Sequence, residues 1–148
     1  MLAQVLLLAV LVALLVTGVG AFDLPTGSSS LARIIGAMIV AVALAEGILG
    51  VRDLGANLTP FPHPLEHARL VESGIYAKTR HPLYGAVILG SVGASLLSVN
   101  GAALGWSFLI AGFFYAKSRH EEARLVAHYP GYLGYRSRVT KRFVPWVL

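Results

Sequence analysis

Cysteine is absent from the chain, charged residues make up only 13% of it, and just seven side chains are acidic. The first absence excludes disulfides, thiolate nucleophiles and cysteine-ligated metals, leaves the redox compartment open, and no metal site is expected. The second, with 56% apolar residues and a mean hydropathy of +0.71, excludes an ordinary water-soluble domain. The chain reads as an all-α integral membrane protein. Lipid then solvates the apolar exterior, so 148 residues need no large buried core. No internal repeat or low-complexity tract interrupts it.

What the chain does contain is apolar runs long enough to cross a bilayer, which takes about 20 residues, or fewer where the bilayer thins. Four are expected: 2–21, 31–50, 83–99 and 101–116. The last two share the tight link Ser98-Val99-Asn100-Gly101 and must form a helical hairpin. The first lacks a positively charged start and outruns a signal-peptide core, so it reads as a true helix. The Gly-Ser-Ser-Ser run at 27–30 reads as a short external turn after Pro25. Eleven of the twelve Lys and Arg residues fall at 51–82 or after Ala116, leaving Arg33 alone on the other side. By the positive-inside rule both termini are cytoplasmic. The net charge of +5 then serves topology and anionic headgroups, and nucleic acid is not an expected partner. The chain is expected to form one membrane domain over 1–148, with two spanning helices at 1–50 and the functional part at 51–148, ending in a cytoplasmic helical extension.

Polar groups within this apolar frame mark the candidate sites. Glu46 lies one turn from the cytoplasmic end of the second run. It either snorkels to the interface, pairs with an arginine such as Arg52, or lines a polar cavity. Pro60, Pro62 and Pro64 forbid a continuous helix through the following connection, although 65–72 can form two amphipathic turns. Residues 74–84, Gly-Ile-Tyr-Ala-Lys-Thr-Arg-His-Pro-Leu-Tyr, are ring-rich and end where the third run begins. Pro82 suits a first helical turn with His81 near the N-cap, giving a helix end attractive to anions. Arg80 offers a planar fork for carboxylate or phosphate, and Gly85 offers bare backbone on the His81 face. Ser91, Ser95, Gly101 and Gly105 have the spacing of close helix packing within the hairpin. Beyond the fourth run, Lys117 to Leu125 continues as helix and brings Glu121-Glu122 out on the same side as Arg80 and His81. After Tyr129, aromatic and basic residues alternate as in a membrane-surface strip.

Together these pieces resemble the isoprenylcysteine carboxyl methyltransferases and their small bacterial relatives, with phospholipid N-methyltransferases more distant. The likeness covers about 57–145 and runs as Leu70-Val71, Gly74-x-Tyr76, Arg80-His81-Pro82-x-Tyr84, Glu121-Glu122-x-x-Leu125, Tyr132-x-x-Tyr135 and Arg142-x-x-Pro145. The resemblance implies methyl transfer from S-adenosylmethionine, yielding S-adenosylhomocysteine, in a bacterial inner (plasma) membrane. It implies that Ala68, Arg69, Leu70 and Val71 line the cofactor largely through backbone. Tyr76, His81, Pro82, Leu83 and Tyr84 would enclose it, and Glu121, beside Glu122, would close it. Lys117 stands where eukaryotic members place a substrate-contacting arginine, and Tyr135 is grouped with it as substrate-binding. Arg80, His81 and Glu46 are the candidates for catalytic roles.

A sulfonium, an ammonium, a carboxylate and an adenine call for acidic groups, an anion-binding helix end and an apolar slot for rings, all of which this cluster offers. In-line transfer from sulfonium depends mainly on alignment and exclusion of water. The acceptor is expected to be a lipophilic small molecule or lipid at the cytoplasmic leaflet. A carboxylate acceptor needs no base; an amine must lose a proton, with His81 or Glu46 to take it. No protein partner is evident. The competing readings are a small four-helix proton-coupled transporter using Glu46, a sterol-reductase-like enzyme, and a non-catalytic membrane scaffold.

Overall fold

The computed structural model describes residues 2–57 and 70–145. The expected Leu65–Glu72 helix lies mostly outside the described residues, as do Ala68 and Arg69. The described chain is all-α: α1 (Leu2–Thr17), α2 (Thr26–Leu54), α3 (Pro82–Leu97), α4 (Gly101–His128) and α5 (Tyr132–Arg138), with short 3-10 turns at Gly55–Asn57 and Gly74–Ala77. Among the described residues α2 is long and apolar enough to cross a membrane unaided, whereas α1 and α3 are apolar but shorter.

The chain divides into two compact units, Met1–Leu44 with Val87–Phe114, and Ala45–Ala86 with Tyr115–Leu148. In the first, α1 stops earlier than its apolar run because Gly18 takes a left-handed φ of +68°, the usual glycine-terminated helix end. The polar run at 27–30 is not a turn but the first turn of α2. Ser29 donates its N–H to Pro25 and its hydroxyl to the Thr26 carbonyl, so serines that favour turns are accommodated at a helix start, where backbone groups are free.

The hairpin between α3 and α4 closes through Asn100. Its Oδ1 accepts from Ala103 N–H at 2.9 Å, capping α4, and its Nδ2 donates to the carbonyls of Leu14 and Val19. Ser95 and Ser107 meet at 3.2 Å between the two helices. A close backbone-to-backbone approach, however, joins α2 to α3. A Cβ on Gly36 would stand 2.6 Å from the Leu97 nitrogen, and one on Gly93 2.9 Å from the Gly36 carbonyl oxygen. A Cβ on Gly105, expected to serve such packing, would have nothing within 4 Å among the described residues.

In the second unit the face of α2 carrying Glu46, Gly47 and Gly50 meets the start of α3, with Leu83 and Pro82 against Gly50. Asp53 accepts the Ile75 N–H at 2.7 Å. Gly74 is left-handed at φ +61° directly beside that carboxylate. This hydrogen bond and the Arg52 contact hold the Asp53 carboxyl below its usual range. α5, not foreseen from the sequence, turns Tyr132, Tyr135 and Val139 into a buried cluster with Leu70, Leu125, Val126 and Tyr129.

Candidate functional site

The site lies within the second unit and is assembled from the stretch leading into α3, the outer half of α4 and the segment after α5. Arg80 and His81 do not end in free backbone donors. Their N–H groups donate to the carbonyls of Lys141 and Arg142, at 3.1 and 2.8 Å, which ties the chain's last described segment to the start of α3. Pro82 then opens the helix, as its fixed φ and missing N–H favour, and Gly85 N–H donates to the His81 carbonyl.

Glu122 is the electrostatic centre. Its side chain is 3% exposed and receives Arg80 Nε at 2.8 Å, His81 Nε2 at 3.1 Å and Arg142 Nη2 at 3.2 Å, with Arg136 Nε at 3.8 Å. Burial pushes its pKa up, but the hydrogen bonds from His81 and Arg80 and the Arg80 charge outweigh this and hold it at about 2. Since an ionised carboxylate only accepts, His81 must carry a hydrogen on Nε2. Its other ring nitrogen lies 4.0 Å from Glu121.

Glu121 is the more open of the two, 31% exposed, and accepts the Tyr84 hydroxyl at 2.6 Å. The Tyr84 ring is stacked parallel to His81 at 5.4 Å, and Lys117 Nζ lies 5.0 Å from its centre. Sequence reasoning had chosen His81, Tyr84, Lys117, Glu121 and Glu122, and they come together here. Arg80 behaves differently from its expected role as a ligand fork. Besides Glu122, its Nη1 donates to the carbonyls of Val139 and Thr140 at 2.6 and 2.8 Å, so much of its donor capacity anchors the chain itself.

Other expected residues sit behind this cluster. Tyr76 is buried and its hydroxyl reaches the Gly50 carbonyl. Tyr135 is 2% exposed and donates to the Tyr76 carbonyl at 2.8 Å, a structural bond from a side chain grouped with the acceptor. Burial pushes both phenols up, so both are neutral donors. Pro82 is buried, Leu83 half-buried, and Leu70 and Val71 half-buried. Glu46 is buried with no hydrogen-bond partner on either oxygen among the described residues; Arg52 has turned to Asp53 instead.

Four participants were given no site role from the sequence: Arg142, Tyr115, Thr79 and Phe143. Arg142 stacks over Tyr115 at 5.0 Å, and its Nη1 is buried without a partner among the described residues, as is the Thr79 hydroxyl. Phe143 packs its ring 6.4 Å from His81. For Tyr115 a signal existed: with Ser118 and Glu122 it forms an i, i+3, i+7 row on one face of α4. Among the described residues no group of His, Asp and Glu is placed to hold a metal ion.

No curated protein sequence matches the chain significantly. The model of the isoprenylcysteine carboxyl methyltransferase (ICMT) family matches residues 34–127, a span that contains α3, most of α4 and the Arg80 to Glu122 cluster. The chain therefore belongs to the isoprenylcysteine carboxyl methyltransferase family, whose membrane-embedded members transfer methyl groups from S-adenosylmethionine.

Proposed function

We propose that this protein methylates a lipophilic acceptor, through a carboxylate or an amine, at the cytoplasmic leaflet. In this reading 1–148 is one membrane domain with four crossings and cytoplasmic termini; 1–50 provides two of them and 51–148 provides the cofactor-binding part. The observation that carries it is the hydrogen-bonded convergence of His81 and Tyr84 with Glu121 and Glu122. The donor set suits S-adenosylmethionine. Arg142 Nη1 and the Thr79 hydroxyl are buried polar atoms without partners among the described residues, and such groups are costly unless a ligand or water satisfies them.

The cofactor supplies an electrophilic methyl on a positively charged sulfur. The protein's part is to bind and orient. Leu70, Val71, Tyr76, Pro82, Leu83 and Tyr84 would provide the apolar and backbone surface, joined by Ala68 and Arg69. Arg142 would offer its remaining donor to a carboxylate, and Glu121 would oppose positive charge. Glu122 and Arg80, bonded to one another, would act as positioning residues that hold His81 and the 139–142 segment. Lys117, a cation beside Tyr84, would attract an anionic part of the acceptor, as a point charge without the fork of arginine. Tyr135 would act through Tyr76.

The test is calorimetric titration of the protein in lipid nanodiscs with S-adenosylhomocysteine. Saturable binding is expected, weakened about tenfold or more in His81→Ala and in Glu121→Ala, the loss typical of a hydrogen bond to a charged group. A well-folded protein that takes up no ligand would overturn the proposal.

A further inference from the structure

Glu46 presents a buried carboxyl, 4% exposed, with neither oxygen hydrogen-bonded among the described residues. A carboxylate so placed is costly unless it is neutralised or meets a donor from outside the chain. Its surroundings indicate which kind of donor would fit. Oε1 lies 2.9 Å from where a Cβ on Gly85 would stand, and the Phe143 carbonyl oxygen crowds the same spot. Two acceptor oxygens, one from α2 and one from the segment after α5, thus converge over a single bare Cα. Both are acceptors, so a group that meets the two together has to be all donor, and beside a carboxylate it gains from positive charge. It also adjoins the candidate site, because Gly85 is hydrogen-bonded to the His81 carbonyl and the Phe143 ring faces His81.

We propose that Glu46 and the Phe143 carbonyl, meeting over Gly85, form an ammonium-binding subsite beside the methyl-transfer site. A primary ammonium has three donors, enough to satisfy both partners at once. Two sources share this chemistry: the amino-acid arm of S-adenosylmethionine and an amine on the lipophilic acceptor. The inference rests on the methyltransferase reading for the identity of these sources, but the binding chemistry does not depend on it.

Calorimetry on the full chain in nanodiscs, comparing wild type with Glu46→Gln, tests this, since glutamine keeps the shape and removes the charge. The probes are S-adenosylhomocysteine, 5′-methylthioadenosine, which lacks the amino-acid arm, dodecylammonium and dodecanoate. If the ammonium belongs to the cofactor, Glu46→Gln weakens S-adenosylhomocysteine about tenfold or more and leaves 5′-methylthioadenosine unchanged. If it belongs to the acceptor, both nucleosides bind as before, and Glu46→Gln abolishes a saturable dodecylammonium site that dodecanoate does not fill. Equal affinities of the two proteins for all four probes overturn the subsite, as does an equal loss for both nucleosides, which marks distortion instead of a missing charge. Wild type that binds dodecylammonium through Glu46 but not S-adenosylhomocysteine supports the subsite and removes the methyltransferase reading.

Discussion

Glu121 and Glu122 are adjacent in sequence, yet on a helix consecutive side chains diverge by about 100°, and the two carboxylates meet opposite surroundings. Glu122 is enclosed by Arg80, His81 and Arg142, while Glu121 is partly open and receives Tyr84. Removing the Glu122 charge leaves buried guanidinium groups uncompensated, so Glu122→Gln is expected to cost roughly 3–5 kcal/mol at neutral pH. The acid response follows from the same contacts. The Glu122 pKa is held at about 2, below the ordinary 4.5, so its contribution is complete above about pH 4.5 and is lost as pH falls toward 2. Thermal unfolding across pH 2–7 should therefore show a steep acid limb in wild type and a shallower one in Glu122→Gln, which starts from a lower Tm. A variant as stable as wild type at pH 7 would refute this. The acidic pair, His81 and Tyr84 were legible as residues because motif spacing is local. Arg142's pairing was not, since it depends on where the chain returns after α5. Tyr135 was grouped with Lys117 as substrate-binding because motif spacing carries no burial information; its i, i+3 relation to Tyr132 was the sign of a buried face.

At the scale of elements, small residues announced close helix packing without saying which helices approach. The hairpin pattern pointed to α3 and α4, and the serine contact between them exists, but backbone meets backbone between α2 and α3. No local signal decides this, because glycines that permit approach look the same in sequence as glycines that merely face lipid. A methyl group distinguishes them. Gly36→Ala would place carbon 2.6 Å from the Leu97 nitrogen and 2.7 Å from the Gly93 carbonyl oxygen, backbone atoms that can yield only if the helices part. A loss of about 1–3 kcal/mol is expected. Gly112 also lies in a helix, yet among the described residues nothing stands within 4 Å of its added Cβ, so Gly112→Ala should be neutral or gain up to about 1 kcal/mol. Unfolding temperatures in one detergent would compare the pair, and a Gly36→Ala variant with unchanged Tm would contradict the packing.

For the whole molecule, helix length and hydropathy pull in different directions. α1 and α3 have 16 residues each, about 24 Å of helix against a hydrocarbon core of about 30 Å, while α2 with 29 residues exceeds it. Four crossings therefore require the shorter helices to be extended by their flanks or met by a thinned bilayer. The basic residues agree with that outcome, since all but Arg33 then lie on one side, but they share a side equally if α2 alone crosses, so labelling has to decide. The missing cysteines provide a clean test: single-cysteine variants at Ala3, Asp23, Ser98 and Ser137, treated with a membrane-impermeant maleimide in sealed vesicles of known orientation. Asp23→Cys and Ser98→Cys should label from the external face, Ala3→Cys and Ser137→Cys from the cytoplasmic face alone. Each position decides a different helix. If α2 alone crosses, Ser98→Cys joins Ser137→Cys on the cytoplasmic side and Ala3→Cys joins Asp23→Cys outside. Labelling of Ser98→Cys from outside while Ser137→Cys stays protected requires chain to pass through the membrane on both sides of the hairpin link.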